Sequence, residues 1–210
     1  STHYDAMLAK VIAHAPTREA AARKLAGVLS RARIHGVLTN RDLLVSILRD
    51  PAFLRGEVST DFLGRVVESA PERTVDSTTP AAVAAAIALA ERAVADRTVQ
   101  RGLPAAWRNV VSQPQRTEVE GPDGQRVVVD WWGGRDGYRV DGHTVVEVRG
   151  PLGPSLETTV TLETDGVRTT YAIAVNALPS GAADVDVDSS RGHVRLTRVP
   201  RFVDPAEQVA

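Results

Sequence analysis

The sequence predicts an α+β chain in two parts: a short α/β piece, then an antiparallel barrel of about eight strands around a central alanine-rich helix. Three observations predict it. Apolar residues recur at helical spacing through much of residues 17–66. Residues 81–90, AAVAAAIALA, are apolar on every face. From residue 113 onward apolar and polar residues alternate with period two, broken by Gly-containing turns.

In order along the chain, MLAKVIAHA (7–15) is a short apolar run with a β-branched middle, ended by Pro16, and predicts a strand. Thr17 is placed to N-cap a helix with apolar positions Ala21, Leu25, Val28, Leu29 and Ala32, and Gly36 to end it. Asn40 is placed to cap a second helix, RDLLVSILRD, which Pro51 stops, and a third starts after Ser59 with TDFLGRVVES. These elements make up residues 1–66; residues 67–79 read as a polar, proline-bearing linker.

The second part runs over 80–204. Thr79 as N-cap and Pro80 at the first helical position predict a helix start there. A helix apolar all round must be buried on every side. An eight-stranded barrel has a narrow interior, so a helix passing through it needs very small side chains, which polyalanine supplies. The strands are read in QRTEVEG, QRVVVDWW, GYRVDG, HTVVEVRG, LETTVTLET, VRTTYAIAV, DVDVDSS and HVRLTRV. The alternative architecture is a sandwich with the helix packed on one face. Residues 205–210 read as the start of a further linker.

Composition narrows the function classes. With 210 residues, 43% hydrophobic and 24% charged, the chain has the balance of a soluble globular protein. A formal net charge of -1 gives no basic surplus for nucleic acid or an anionic membrane. The absence of cysteine excludes disulfides and thiolate chemistry and suits a cytoplasmic protein. No run of apolar residues matches a membrane span, and STHYDAMLAK lacks the pattern of a signal peptide. Only Lys10 and Lys24 among the 25 basic residues are lysine, a bias that fits a GC-rich, bacterial genome. His3, His14, His35, His143 and His193 lack metal-ligand spacing, so no metal site is expected. No phosphate loop, nucleophile elbow or paired-carboxylate motif is present, so no catalytic residue is expected. DVDVDS (184–189) reads as the solvated face of a strand.

Residues 4–63 resemble the C-terminal end of a biotin carboxylase. The family pattern is Tyr-Asp-x-Met-x-x-Lys at Tyr4–Lys10, an amphipathic helix, Gly-Val-x-Thr-Asn at Gly36–Asn40, and Phe-x-x-Gly at Phe53–Gly56 before a last short helix. Ala6 stands where related carboxylases often have proline. LPAAWRNVVSQPQ (103–115) and VPRF (199–202) are similar to landmarks of the segment that follows biotin carboxylase in the α subunits of acyl-CoA carboxylases of the acetyl- or propionyl-CoA type. In that family this BT domain is a barrel around a helix, which docks the α subunit onto the carboxyltransferase β subunit.

The resemblance implies a fragment of a hetero-oligomeric ligase that uses biotin and ATP with Mg, its ATP-grasp body and biotinyl carrier domain lying outside this sequence. The fragment alone is expected to bind none of these cofactors and to be inactive. Residue by residue, Thr60 matches the family position at the adenine edge of ATP, and Tyr4, Asp5 and Lys10 match the strand backing the carboxylase site. Trp107, Arg108 and Asn109 lie in the long connection between helix and first strand, where the family's docking domain reaches its β subunit. Two other classes compete: a free-standing small-ligand-binding barrel, which needs an open lumen, and a self-contained enzyme.

Overall fold

The computed structural model describes residues 7–37, 39–68, 75–152, 157–177 and 182–202, and the chain divides into two compact units, Ser1–Glu72 and Arg73–Ala210.

The first unit is helical among its described residues. Helix α1 (Arg18–Arg31) starts at Thr17, whose hydroxyl accepts from the Ala20 amide at 3.2 Å. It buries Ala22, Ala26 and Leu29, with Leu25 beside them; Val28, expected on this face, is exposed. The helix ends at Ala32, short of Gly36, which lies in a bend with φ of 82°. Helix α2 (Arg41–Arg49) follows Asn40, whose side chain makes no capping bond. The buried Arg41 guanidinium bonds Asp42 and the carbonyl of Ala32, serving an orphan acceptor at the α1 C-terminus. Pro51 does stop α2, but it also opens a five-residue helix α3 (Pro51–Arg55), capped by Asp50 through the Ala52 and Phe53 amides at 2.7 and 3.1 Å. Gly56, at φ 80°, closes it. Helix α4 (Phe62–Glu68) forms where expected.

Residues 7–15 correct the sequence reading: they form no strand and are largely exposed. A strand needs a ladder partner, and no other strand exists among the described residues of this unit.

In the second unit, helix α5 (Val75–Ala95) begins five residues earlier than expected, so Pro80 lies inside it and Thr79 is not its cap. With 21 residues it is roughly 30 Å long. By length and composition Thr78–Ala95 matches a membrane span, contrary to expectation, yet 61% of that stretch is buried within the protein.

Eight strands follow: β1 (Gln115–Glu120), β2 (Arg126–Gly134), β3 (Gly137–Val140), β4 (Thr144–Leu152), β5 (Glu157–Thr164), β6 (Val167–Ala177), β7 (Ala183–Ser189) and β8 (Gly192–Arg198). All join one antiparallel sheet in the order β3-β2-β1-β8-β7-β6-β5-β4, so the two-sheet sandwich is not adopted. Its edge strands, β3 and β4, are joined by the tight Asp141–Gly142 turn and a Val140–His143 bridge, which leaves the sheet nearly closed as a barrel. Asp165 and Gly166, both at positive φ, make the tight β5–β6 turn.

Ala82, Ala84, Ala85, Ala86, Ile87 and Ala88 have no exposed surface. They share one hydrophobic cluster with residues that alternate along the strands, among them Val119, Val129, Trp131, Leu162, Ile173 and Leu196. Helix α5 approaches β1, β2 and β4 through β8. Strand β7 departs from alternation. Asp184, Asp186 and Asp188 are buried, against the expected solvated face. Neighbouring strands make that burial tolerable: Asp186 takes Asn176 Nδ2 at 3.1 Å and His193 Nε2 at 2.9 Å, and Asp184 takes Thr197 Oγ1 at 3.2 Å and Arg195.

Candidate functional site

The connection from α5 to β1 spans residues 96–114 and carries no regular structure beyond turns. It is nonetheless held in place. The Arg97 guanidinium donates to the Leu103 carbonyl at 3.1 Å, Arg101 Nε to the Arg97 carbonyl at 3.1 Å, and the Leu103 amide to the Gln100 carbonyl at 3.1 Å. Gln100 and Ala106 adopt positive φ of 55° and 56°. Ala105 is buried and sits directly on β2: a Cβ added to Gly133 would lie 2.5 Å from the Ala105 carbonyl oxygen. Only glycine lets the loop approach this closely.

This anchoring leaves an apolar crest in solvent. Trp107 is 41% exposed, and Val99, Val110 and Val111 more so. Arg108 and Asn109 are exposed beside Trp107. Arg108 is steadied by the Gln113 carbonyl at 3.4 Å and, with the Gln115 amide oxygen turned toward it, by Gln115 at 3.2 Å from Nε. Trp107 lies outside the hydrophobic cluster of this unit. Its neighbours Ala105 and Ala106 pack inward, and the buried indole at this end is Trp131, which donates to Thr117 Oγ1 at 3.0 Å and stacks obliquely on Tyr138 at 5.7 Å.

Next to the crest a cleft of about 800 Å³ opens between the C-terminal half of α5, the loop, the first half of β1 and the exit of β8. The ladder is short here, since β1 and β8 share only the pairs Val119–Arg198 and Glu120–Thr197. Beyond the cleft, the Tyr138 hydroxyl donates to Glu91 Oε1 at 2.6 Å, tying β3 to α5. Burial, then this carboxylate, pushes the Tyr138 hydroxyl far above the ordinary phenol range.

Of the residues expected at a carboxylase site, Lys10 and Thr60 are both exposed, Thr60 in the turn that precedes α4. Tyr4 and Asp5 lie outside the described residues. The buried cation of the first unit, Arg41, is engaged by Asp42 and Ala32. These described residues do not build a phosphate cradle.

Sequence reading missed the Ala105–Gly133 seat, the cleft and the β7 carboxylates. The last had a usable signal: in the hairpin register Asp184, Asp186 and Asp188 face Thr197, Arg195 and His193, a match of acids to donors.

Residues 1–65 match the family model of the biotin carboxylase C-terminal domain. The chain is 43% identical over 63 residues to mitochondrial pyruvate carboxylase of Mus musculus, covering 30% of this chain and 5% of that protein. It is 37% identical over 65 residues to biotin carboxylase of Allochromatium vinosum, covering 31% of this chain and 14% of the relative. Biotin carboxylase 2 of Bacillus subtilis gives 43% over 60 residues, 29% of this chain and 14% of that protein. The chain thus spans a small part of the length of these relatives, and its first unit is homologous to the C-terminal domain of biotin-dependent carboxylases.

Proposed function

We propose that this chain is part of the α subunit of a biotin-dependent acyl-CoA carboxylase. In this reading the first unit completes a biotin carboxylase and the second docks the carboxyltransferase β subunit. Homology of residues 1–65 to the biotin carboxylase C-terminal domain supports the first half. One observation carries the second: an apolar crest, Val99, Trp107, Val110 and Val111, held out in solvent by a loop seated at Gly133. Trp and Arg are the residues most enriched at binding hot spots, and Trp107 and Arg108 stand together on this crest. An exposed apolar surface mounted on a rigid base is what a partner can cover without an ordering cost.

ATP with Mg and biotin belong, in this reading, to the parent enzyme: ATP supplies the energy to carboxylate biotin, which carries the carboxyl group. Lys10 and Thr60 border that chemistry and hold none of it. The parent works in the cytoplasm as a hetero-oligomer, with a biotinyl carrier domain on the same chain. The rival reading of a ligand-binding barrel with an open lumen is disfavoured, because the side chains of Ala81–Ala88 are packed in the core.

The test is binding of the cognate carboxyltransferase by calorimetry. Trp107→Ala is expected to weaken it by about 2 kcal/mol or more, roughly thirtyfold, and Asn109→Ala by less. The urea midpoint should stay near the native value, because Trp107 is already 41% exposed. Lost stability with intact docking overturns the assignment of this surface.

A further inference from the structure

We infer that the cleft at the β1–β8 seam is a binding site for an amphipathic organic anion: a slender apolar chain ending in one carboxylate or phosphate. Of the docking surface it takes in only Arg108, since Trp107 and Asn109 do not line the cleft.

The floor comes from one stripe of α5. Ala86, Leu89, Ala90 and Ala93 all line the cleft, at the i, i+3, i+4, i+7 spacing that puts them on one helix face. Three of the four are alanine, so the face is apolar but lacks the bulk to close the space above it. Trp131 supplies an aromatic wall. A volume of about 800 Å³ lies in the range that small ligands occupy.

The rim has the opposite character. Arg97, Arg108, Arg198 and Arg201 line it, and among the described residues none of the four has a carboxylate partner. Arg97 and Arg108 are held by backbone carbonyls, and Arg201 lies over the Phe202 ring at 5.4 Å. A fifth lining arginine, Arg116, is neutralised by Asp130 at 2.9 Å, and that hydrogen bond holds the Asp130 carboxyl below its ordinary range. The cleft's acid, Glu118, is bonded by Arg126 at 3.1 Å. The opposite charges are thus paired off among themselves, and the remaining guanidiniums converge on an apolar trough. Planar guanidinium forks recognise carboxylate and phosphate, and like charges gathered at a low-dielectric surface favour an anion between them. An inorganic anion leaves the trough unfilled; a neutral chain leaves the arginines unanswered.

The experiment uses the chain as it stands, labelled with ¹⁵N and titrated with octyl phosphate, octanoate, 1-octanol and inorganic phosphate. Saturable shifts are expected at the amides of 86–93, 198 and 199 with one or both octyl anions, and the tighter of the two identifies the head group. Octanol and inorganic phosphate should bind at least tenfold more weakly. Arg198→Gln, an exposed position that leaves the core intact, should weaken the octyl anion at least fivefold, and Ala90→Phe should block it by filling the floor. Octanol binding as tightly as the anions, shifts centred elsewhere, no shifts at all, or unchanged affinity in Arg198→Gln overturns the inference. Arg198→Gln decides the matter even where Ala90→Phe fails to fold.

Discussion

At the scale of single residues, Gly133 carries the sharpest demand. A methyl group there meets backbone, 2.5 Å from the Ala105 oxygen and 3.2 Å from its carbon, with no flexible side chain to yield. Gly133→Ala is expected to lift the loop and to cost about 1–3 kcal/mol, read from the urea midpoint, with faster proteolysis between residues 98 and 112. Tyr138→Phe removes a hydrogen bond to the Glu91 carboxylate and should cost about 1–2 kcal/mol by the same measurement. His143 adds a pH dependence. Burial lowers its pKa, opposed by the Asp165 charge, while the ring bonds Thr164 Oγ1 at 2.7 Å. The unfolded histidine keeps a pKa of about 6.5. As pH falls through that value the unfolded chain takes up a proton the folded chain resists, so stability falls on acidification; above it the contribution is present in full. His143→Gln should flatten that limb when urea midpoints are compared at about pH 7.5 and 5.5. None of the three contacts was legible in the sequence, because each joins residues far apart along the chain that only the folded unit brings together.

Among the elements, the strands and α5 were readable because their signals are local and dense. Val127, Val129 and Trp131 alternate with Arg126, Val128 and Asp130, and burial follows that alternation. The unbroken apolar face of 81–88 left burial as its one solution. MLAKVIAHA failed as a strand because propensity cannot supply a ladder partner, and α5 overran Pro80 because the full burial of the turns that follow outweighs the one intrahelical bond the proline forfeits. The connection between α5 and β1 was legible in length and composition, but not its footing, since the glycine it rests on lies in another element. Helix α5 also bears the plainest packing test. Ala84 and Ala85 have no exposed surface and do not line the cleft, so Ala84→Leu or Ala85→Leu should cost about 1–3 kcal/mol by overpacking. Leu and Ala have similar helix propensity, and unchanged urea midpoints in both variants would mean that the core around α5 yields freely.

For the whole molecule, the expectation is that the purified chain neither turns over ATP nor carboxylates biotin, measured as biotin-dependent phosphate release; its described residues offer no positioned acid–base pair at Lys10 or Thr60. The barrel's wiring has a consequence of another kind. Every strand pair but one joins neighbours in sequence, and the exception, β1 with β8, holds by Val119–Arg198, Glu120–Thr197 and the Val199 amide to the Glu118 carbonyl at 2.9 Å. Local hairpins close cheaply, whereas this seam must bring together segments separated by most of the barrel. Closing the seam is therefore the slow step of folding, and its bonds form in the transition state. Val199→Pro, which deletes that amide, should lower the folding arm of the chevron and leave the unfolding arm where it is. A barrel wired this way owes its pace of assembly to one short stitch.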